Sequence, residues 1–214
     1  MKFRVLICLL LGAATQIAAA LVAPNPALAD TPATETIVMV RHGEKPPQGL
    51  GQLDCQGLNR ALALPAVINR MFGRPAAILA PNPAQQKIDE GVAYDYIRPL
   101  ATIEPTAITF GLPVNASIGL TDIATLKARL LDTQFQSAFV LVGWEHFQIV
   151  QLARELMSLS GGGPSTVPQW KGSDFDSIYV IRITRSGSST SAVFQRREEG
   201  LSNQETACPG QASP

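Results

Sequence analysis

The chain has 214 residues, 46% of them hydrophobic, with 17 basic residues against 17 acidic ones. That length and apolar content fit one domain with a real core. With no net charge and no long basic patch, nothing favours nucleic acid as a partner, and only local charge can attract an anionic ligand.

Residues 1–29 read as a secretory signal. Lys2 and Arg4 give a positive start, Val5 to Leu11 form a short apolar region, and Ala27-Leu28-Ala29 is a small-x-small cleavage pattern before Asp30. The competing reading is a membrane anchor. Gln16, Pro24, Asn25 and Pro26 interrupt the apolar run before it reaches the roughly 20 residues a span needs. Cys8 follows Ile7 rather than a small residue, which argues against a lipid-anchor cysteine. The expectation is a periplasmic or secreted protein with no stable membrane insertion after cleavage. Removing Lys2 and Arg4 leaves the mature chain slightly acidic, and leaves two cysteines, Cys55 and Cys208. In an oxidising compartment these can pair and tie the C-terminal tail to the first helix region; otherwise they are two free thiols.

Residues 36–40 are a continuous, mostly β-branched run, the pattern of a fully buried strand. A loop follows at Pro46, Pro47, Gly49 and Gly51. Residues 55–72 have helical spacing, with Pro65 expected to kink or divide the helix. Ala76 to Ala80 reads as a second strand, closed by Pro81-Asn82-Pro83. Residues 84–96 are mostly polar and read as a loop able to form a flap. Pro99 to Phe110 is helical and ends at Gly111, and Leu112 to Asn115 reads as a third short strand. Leu120 to Leu131 is a helix, Phe139 to Val142 a buried strand, and Phe147 to Leu159 a helix ending before Gly161-Gly162-Gly163-Pro164. Ser177 to Thr184 and Ala192 to Phe194, separated by a turn at Ser186 to Ser189, form a terminal hairpin. The polar tail from Glu198 is expected to be mobile. Strands alternating with helices argue for an α/β fold, a three-layer sandwich around a mostly parallel central sheet with helices on both faces.

The chain holds only two histidines, His42 and His146, and each lies just past an apolar run read as a strand. In parallel α/β sheets, ligand sites gather outside the carboxyl ends of strands. A strand end fixes the direction of a histidine, and a carbonyl accepting one ring N–H sets the tautomer. Arg41, beside the first histidine, offers a planar fork of donors that matches phosphate oxygens. A metal held by the two histidines lacks the close ligand spacing of known sites, and Arg41 would repel a cation. No cofactor or metal is expected.

Arg41-His42-Gly43, followed by the acidic Glu44, resembles the opening motif of the histidine phosphatase superfamily, the group with the phosphoglycerate mutase-like fold. Gly51-Gln52-Leu53-Asp54-Cys55-Gln56-Gly57-Leu58-Asn59-Arg60-Ala61 resembles the family's segment into the first helix, with Asp54 in place of the hydroxyl residue. Arg98 opens a Thr- and Ala-rich helix, and Val140-Leu141-Val142-Gly143-Trp144-Glu145-His146 resembles the late strand with the second histidine. The resemblance spans about residues 36–160. It implies a histidine phosphatase-like domain over residues 30–200 with a polar tail at 201–214. It also implies that His42 attacks phosphorus and is transiently phosphorylated, while Arg41, Arg98 and His146 line the phosphate pocket. One departure is marked: the family's middle arginine usually follows a Ser-Pro loop soon after the second strand. Here Ala80-Pro81-Asn82-Pro83 occupies that loop, so residues 84–96 must fold to return Arg98 to the pocket. Arg60 and Arg74 would be poor substitutes.

The general acid is open among Glu145, Glu44 and Glu104, and Glu145 reads equally well as an orienting or salt-bridging group beside His146. Glu145 faces the pocket together with His146 only if the strand ends at Trp144. Trp144 reads as core or pocket wall, and Lys45 as a solvated loop lysine. The implied activity is hydrolysis of a phosphomonoester carried by a small molecule or a phosphoprotein. The alternative is a non-catalytic domain of the same fold that binds a phosphorylated ligand.

Overall fold

Thr36 to Val40 lies within β1 (Ala33–Arg41), and its residues alternate between two cores. Ile37 and Met39 join one buried cluster and Val38 and Val40 the other. A strand covered on both faces has no polar side to show, which is why the run is apolar throughout. The computed structural model of the chain describes residues 31–210, so the predicted signal segment lies outside the described residues.

The other strands of the main sheet are β2 (Ala77–Pro81), β5 (Val114–Ile118), β6 (Phe139–Trp144), β7 (Ser177–Ser186) and β8 (Ser189–Glu198). Their order is β5-β2-β6-β1-β7-β8. The first four run parallel; β7 lies antiparallel to β1 and pairs with β8 as the expected terminal hairpin. Helices α1 (Cys55–Phe72) and α2 (Arg98–Phe110) cover the face of Val38 and Val40, burying Leu64, Ile68 and Ile103. Helices α3 (Ile123–Leu130) and α4 (His146–Leu159) cover the face of Ile37 and Met39, burying Leu126, Ile149 and Leu152. Each such side chain contributes about 1.5–3 kcal/mol by leaving water. The result is the expected three-layer α/β sandwich with a mostly parallel sheet. No helix among the described residues is long and apolar enough to cross a membrane.

Four local expectations differ from what is seen. Pro65 lies inside α1 without dividing it. Its ring sits in the buried face beside Leu64, Val67 and Ile68, and that packing outweighs the lost backbone hydrogen bond. Residues 84–96 hold a hairpin, β3 (Gln86–Asp89) and β4 (Val92–Asp95), not a loop. Its two central turn residues, Glu90 and Gly91, have φ of 48° and 83°, the pair of positive values that suits a twisted two-residue hairpin turn. The third parallel strand starts at Val114 rather than Leu112. The tail packs against α1: Glu199 and Leu201 are buried, and Asn59 Nδ2 donates to the carbonyls of Glu205 and Ala207, both at 2.8 Å. Cys55 and Cys208 are joined as a disulfide.

Candidate active site

β1 and β6 are neighbouring parallel strands, with Arg41 opposite Trp144, so both histidines emerge at one end of the sheet. The His42 N–H extends the ladder by donating to the Trp144 carbonyl at 3.2 Å. β6 ends at Trp144, which places Glu145 at the N-cap of α4 and His146 in its first turn. The condition for both to face the site is therefore met.

The His42 ring is 3% exposed, and its Nδ1 donates to the Gly43 carbonyl at 2.7 Å. A carbonyl only accepts, so the proton sits on Nδ1 and the lone pair on Nε2. Burial is the main cause that drives the His42 pKa well below the ordinary value; the Gly43 bond opposes it, and Arg41, Arg98 and Lys87 push it further down. The ring is thus neutral at pH 7 and nucleophilic at Nε2. Gly43 is needed for close packing: a Cβ there would lie 2.9 Å from the backbone of Gly57 on α1. The Gly43 N–H donates to Thr102 Oγ1 at 3.0 Å, and Thr102 donates on to the Arg98 carbonyl at 2.8 Å, locking the post-β1 loop onto α2.

Each arginine is anchored through Nη1. Arg41 Nη1 donates to the carbonyls of Gly172 and Asp174 at 2.7 and 2.8 Å, and its guanidinium lies 3.9 Å from the centre of the Phe175 ring. Arg98 Nη1 donates to Asp89 Oδ2 at 2.5 Å and to the Gly49 carbonyl at 3.1 Å. The departure at residues 84–96 is resolved by the hairpin, which carries Asp89 to the side chain of Arg98. Tyr96 lies between the parts of the site: its ring centre is 6.0 Å from that of His42 and 4.7 Å from the Arg98 guanidinium. Burial, the largest cause, keeps its phenol protonated far into the alkaline range.

Glu145 Oε2 accepts from the backbone N–H groups of Phe147 and Gln148 at 2.9 and 3.2 Å. Its Oε1 lies 2.7 Å from His146 Nδ1, a contact within ion-pair range, although both atoms lack a partner in hydrogen-bond geometry. Burial raises the Glu145 pKa, but His146, Lys87 and the Gln148 N–H outweigh it and bring it down to about 2. Glu145 is therefore a carboxylate at neutral pH. The rival acids lie elsewhere: Glu104 is exposed on α2, and Glu44 holds Arg60 with two bonds of 2.7 and 2.9 Å. Arg60 also contacts Asp176 and Glu199 and serves the fold, while Arg74 caps the Phe110 carbonyl. Trp144 is core, its Nε1 donating to the Leu120 carbonyl.

Ten buried side-chain polar atoms among the described residues lack a hydrogen-bond partner, and six belong here: Arg41 Nε, Tyr96 Oη, Arg98 Nε, Glu145 Oε1 and both ring nitrogens of His146. Buried donors without partners are rare and call for an explanation. The three fixed donors among them, Arg41 Nε, Arg98 Nε and Tyr96 Oη, make a preformed cradle for an anion beside the His146 ring, whereas Glu145 Oε1 is an acceptor turned to His146 Nδ1. One cleft beside the cluster is lined by Glu44, Arg60 and Phe175, and another, elsewhere, by Leu112, Arg129 and Phe135.

No protein-family model matches the sequence, and no curated protein matches it. Solved structures do resemble it. One is the mycobacterial glucosyl-3-phosphoglycerate phosphatase in complex with inorganic phosphate, at TM-score 0.54 and 16% identity, covering 75% of this chain and 95% of that one. Another is mycobacterial hydrolase 2, at TM-score 0.52 and 14% identity, covering 76% of this chain and 90% of the other. The fold is phosphoglycerate mutase-like. Within this phosphoglycerate mutase-like sandwich, Arg41, His42, Arg98, Glu145 and His146 all gather at one end of the sheet. Sequence reasoning missed Tyr96, Lys87, Asp89, Thr102 and Phe175. Of these, Tyr96 was the most accessible, lying two residues before Arg98.

Proposed function

We propose that the chain is an exported phosphomonoesterase that works through a phosphohistidine on His42. The observation that carries this reading is the set of partnerless buried donors beside a neutral histidine whose Nε2 is free. Fold neighbours that include a phosphatase solved with inorganic phosphate support it.

His42 Nε2 attacks phosphorus in line, forming the N–P bond as the P–O bond to the leaving group breaks. Arg41 Nε, Arg98 Nε and the Tyr96 phenol donate to the equatorial oxygens, where charge is spread in the transition state. These donors are already desolvated and fixed, so little reorganisation is needed. Ionised Glu145 holds the His146 ring and balances positive charge on it, so a proton passed to the leaving oxygen comes from the imidazole side of this pair. Water then attacks phosphorus and gives its proton to the His146 imidazole that had protonated the leaving oxygen; the N–P bond breaks, and inorganic phosphate, neutral His42 and the recharged His146 return.

Export rests on the leader-like residues 1–29 and is supported by the disulfide, a bond characteristic of oxidising compartments. Finding the full-length N-terminus retained on the mature protein in the cytosol would contradict it.

The deciding test is turnover of p-nitrophenyl phosphate by the wild type and by His42→Ala, with acid-labile phosphorylation of the protein followed in parallel. Loss of both in the variant is expected. Tight phosphate binding with no turnover in the wild type would favour the non-catalytic reading.

A further inference from the structure

The hairpin brings more to the site than the carboxylate that steers Arg98. Lys87 and Asp89 are two apart on β3 and so share one face. On that face Asp89 meets Arg98 and, at 3.5 Å, Lys45; Lys87 Nζ lies 3.7 Å from Glu145 Oε1 and 5.1 Å from the centre of the Tyr96 ring. The side chains of Lys45 and Lys87 are each 33% exposed, whereas Arg98 is 1% and Arg41 4% exposed. The site thus has two tiers of positive charge: buried guanidinium groups aimed inward, and two ammonium groups at the solvent edge.

Among the described residues Lys87 Nζ makes no hydrogen bond, and its contact with Glu145 is a long ion pair of 3.7 Å. Glu145 is already committed to two backbone N–H groups and to His146, and 3.7 Å is beyond hydrogen-bond reach. Partial burial disfavours its charge, Arg98 and Lys45 add to that effect, and Glu145 and Asp89 oppose it. Holding an under-partnered ammonium beside other cations costs free energy, which an arriving anion would recover. In the proposed mechanism the phosphoryl oxygens already have the buried donors of Arg41, Arg98 and Tyr96. A second anion is therefore the better match for the outer tier.

We propose that Lys87, with Lys45 beside it, is a specificity-determining residue that receives a second anionic group on the leaving-group side of the substrate. The preferred esters then carry a carboxylate or a further phosphate near the phosphoryl group that is cleaved. This rests on the phosphomonoesterase reading and narrows its substrate class.

Binding separates the two ideas, because it needs no turnover. Calorimetry would compare phenylphosphonate with carboxyphenylphosphonates on the wild type, Lys87→Met and Lys87→Arg. The wild type should bind at least one carboxylated probe about 10- to 100-fold more tightly, the range expected for one charge-assisted contact. Lys87→Met should bring that ratio close to one, and Lys87→Arg should keep most of it. Equal binding of all probes by the wild type, or an unchanged ratio in Lys87→Met, would overturn the proposal. Selective binding by a protein that hydrolyses no ester would retain the lysine assignment and remove the phosphatase reading.

Discussion

Asp89 grips Arg98 at the foot of the hairpin, with Oδ2 2.5 Å from Nη1 and Oδ1 3.4 Å from Nη2. That grip turns Nε of Arg98 towards the anion cradle. Removing one partner of a buried pair leaves the other charge uncompensated, at a cost of about 3–5 kcal/mol. Asp89→Ala should lower stability towards that range and reduce kcat/KM by roughly tenfold or more, since a misdirected donor forfeits transition-state stabilisation. Urea titration and steady-state kinetics below the melting range would check both. Burial raises the Asp89 pKa, but Arg98 overcomes this and the net shift is downward. Its contribution to stability is then present above about pH 4 and is lost as pH falls through the lowered folded value.

The low proton affinity of His42 predicts an unusual acid limb. Below about pH 6.5 an unfolded histidine binds a proton that the buried ring does not, so stability should fall as pH drops below that value. The His42 ring itself stays neutral there. After correction for the ester's own ionisation, kcat/KM should hold between about pH 7.5 and 6. A decline governed by an ordinary histidine pKa would contradict the inferred environment of the ring.

Glu145→Gln keeps an acceptor for the first turn of α4 but removes the charge facing His146 and Lys87. A loss of roughly 10- to 100-fold in kcat is expected, larger for alkyl than for p-nitrophenyl esters because poor leaving groups need the proton more. Full activity on both ester types at every pH would remove Glu145 from the chemistry.

Arg60 is 1% exposed and holds Glu44, Asp176 and Glu199 together, yet it lies outside the anion cradle. Arg60→Met should destabilise the fold by about 3–5 kcal/mol, because three buried or half-buried acidic side chains lose their shared hydrogen-bonding cation. Chemical denaturation would read this directly.

The Cys55–Cys208 bond spans 153 positions. Long closures restrict the unfolded chain, and a loss of about 2–4 kcal/mol is expected in a Cys55→Ser, Cys208→Ser double variant. Thermal melts with and without reductant should reproduce it in the wild type and show no reductant effect in the variant.

The parts of the site carried by strand ends were readable, because buried strands and charged ends stand apart in the sequence. Arg41, His42 and His146 belong to this group, whereas Arg98 followed only from the resemblance to the histidine phosphatase family. Lys87 and Asp89 were not readable. Their hairpin is short and polar, so it lacks the apolar alternation that marks a half-buried strand; its one local signal, Glu90-Gly91, is an uncommon form of the two-residue turn. Pro65 misled because a local rule was overridden by packing. The tail misled because Leu201 is a single apolar residue in a polar stretch, and only the fold shows what it covers.

The two-residue turn at Glu90 and Gly91 has an evolutionary corollary. A self-contained β-ribbon of about ten positions carries both the brace for a reactive-site arginine and an outward cation, yet contributes no strand to the main sheet. Such a cassette can be lengthened, recharged or exchanged while the sandwich beneath it keeps its shape, so diversification of ligand preference can proceed there without remodelling the anion cradle.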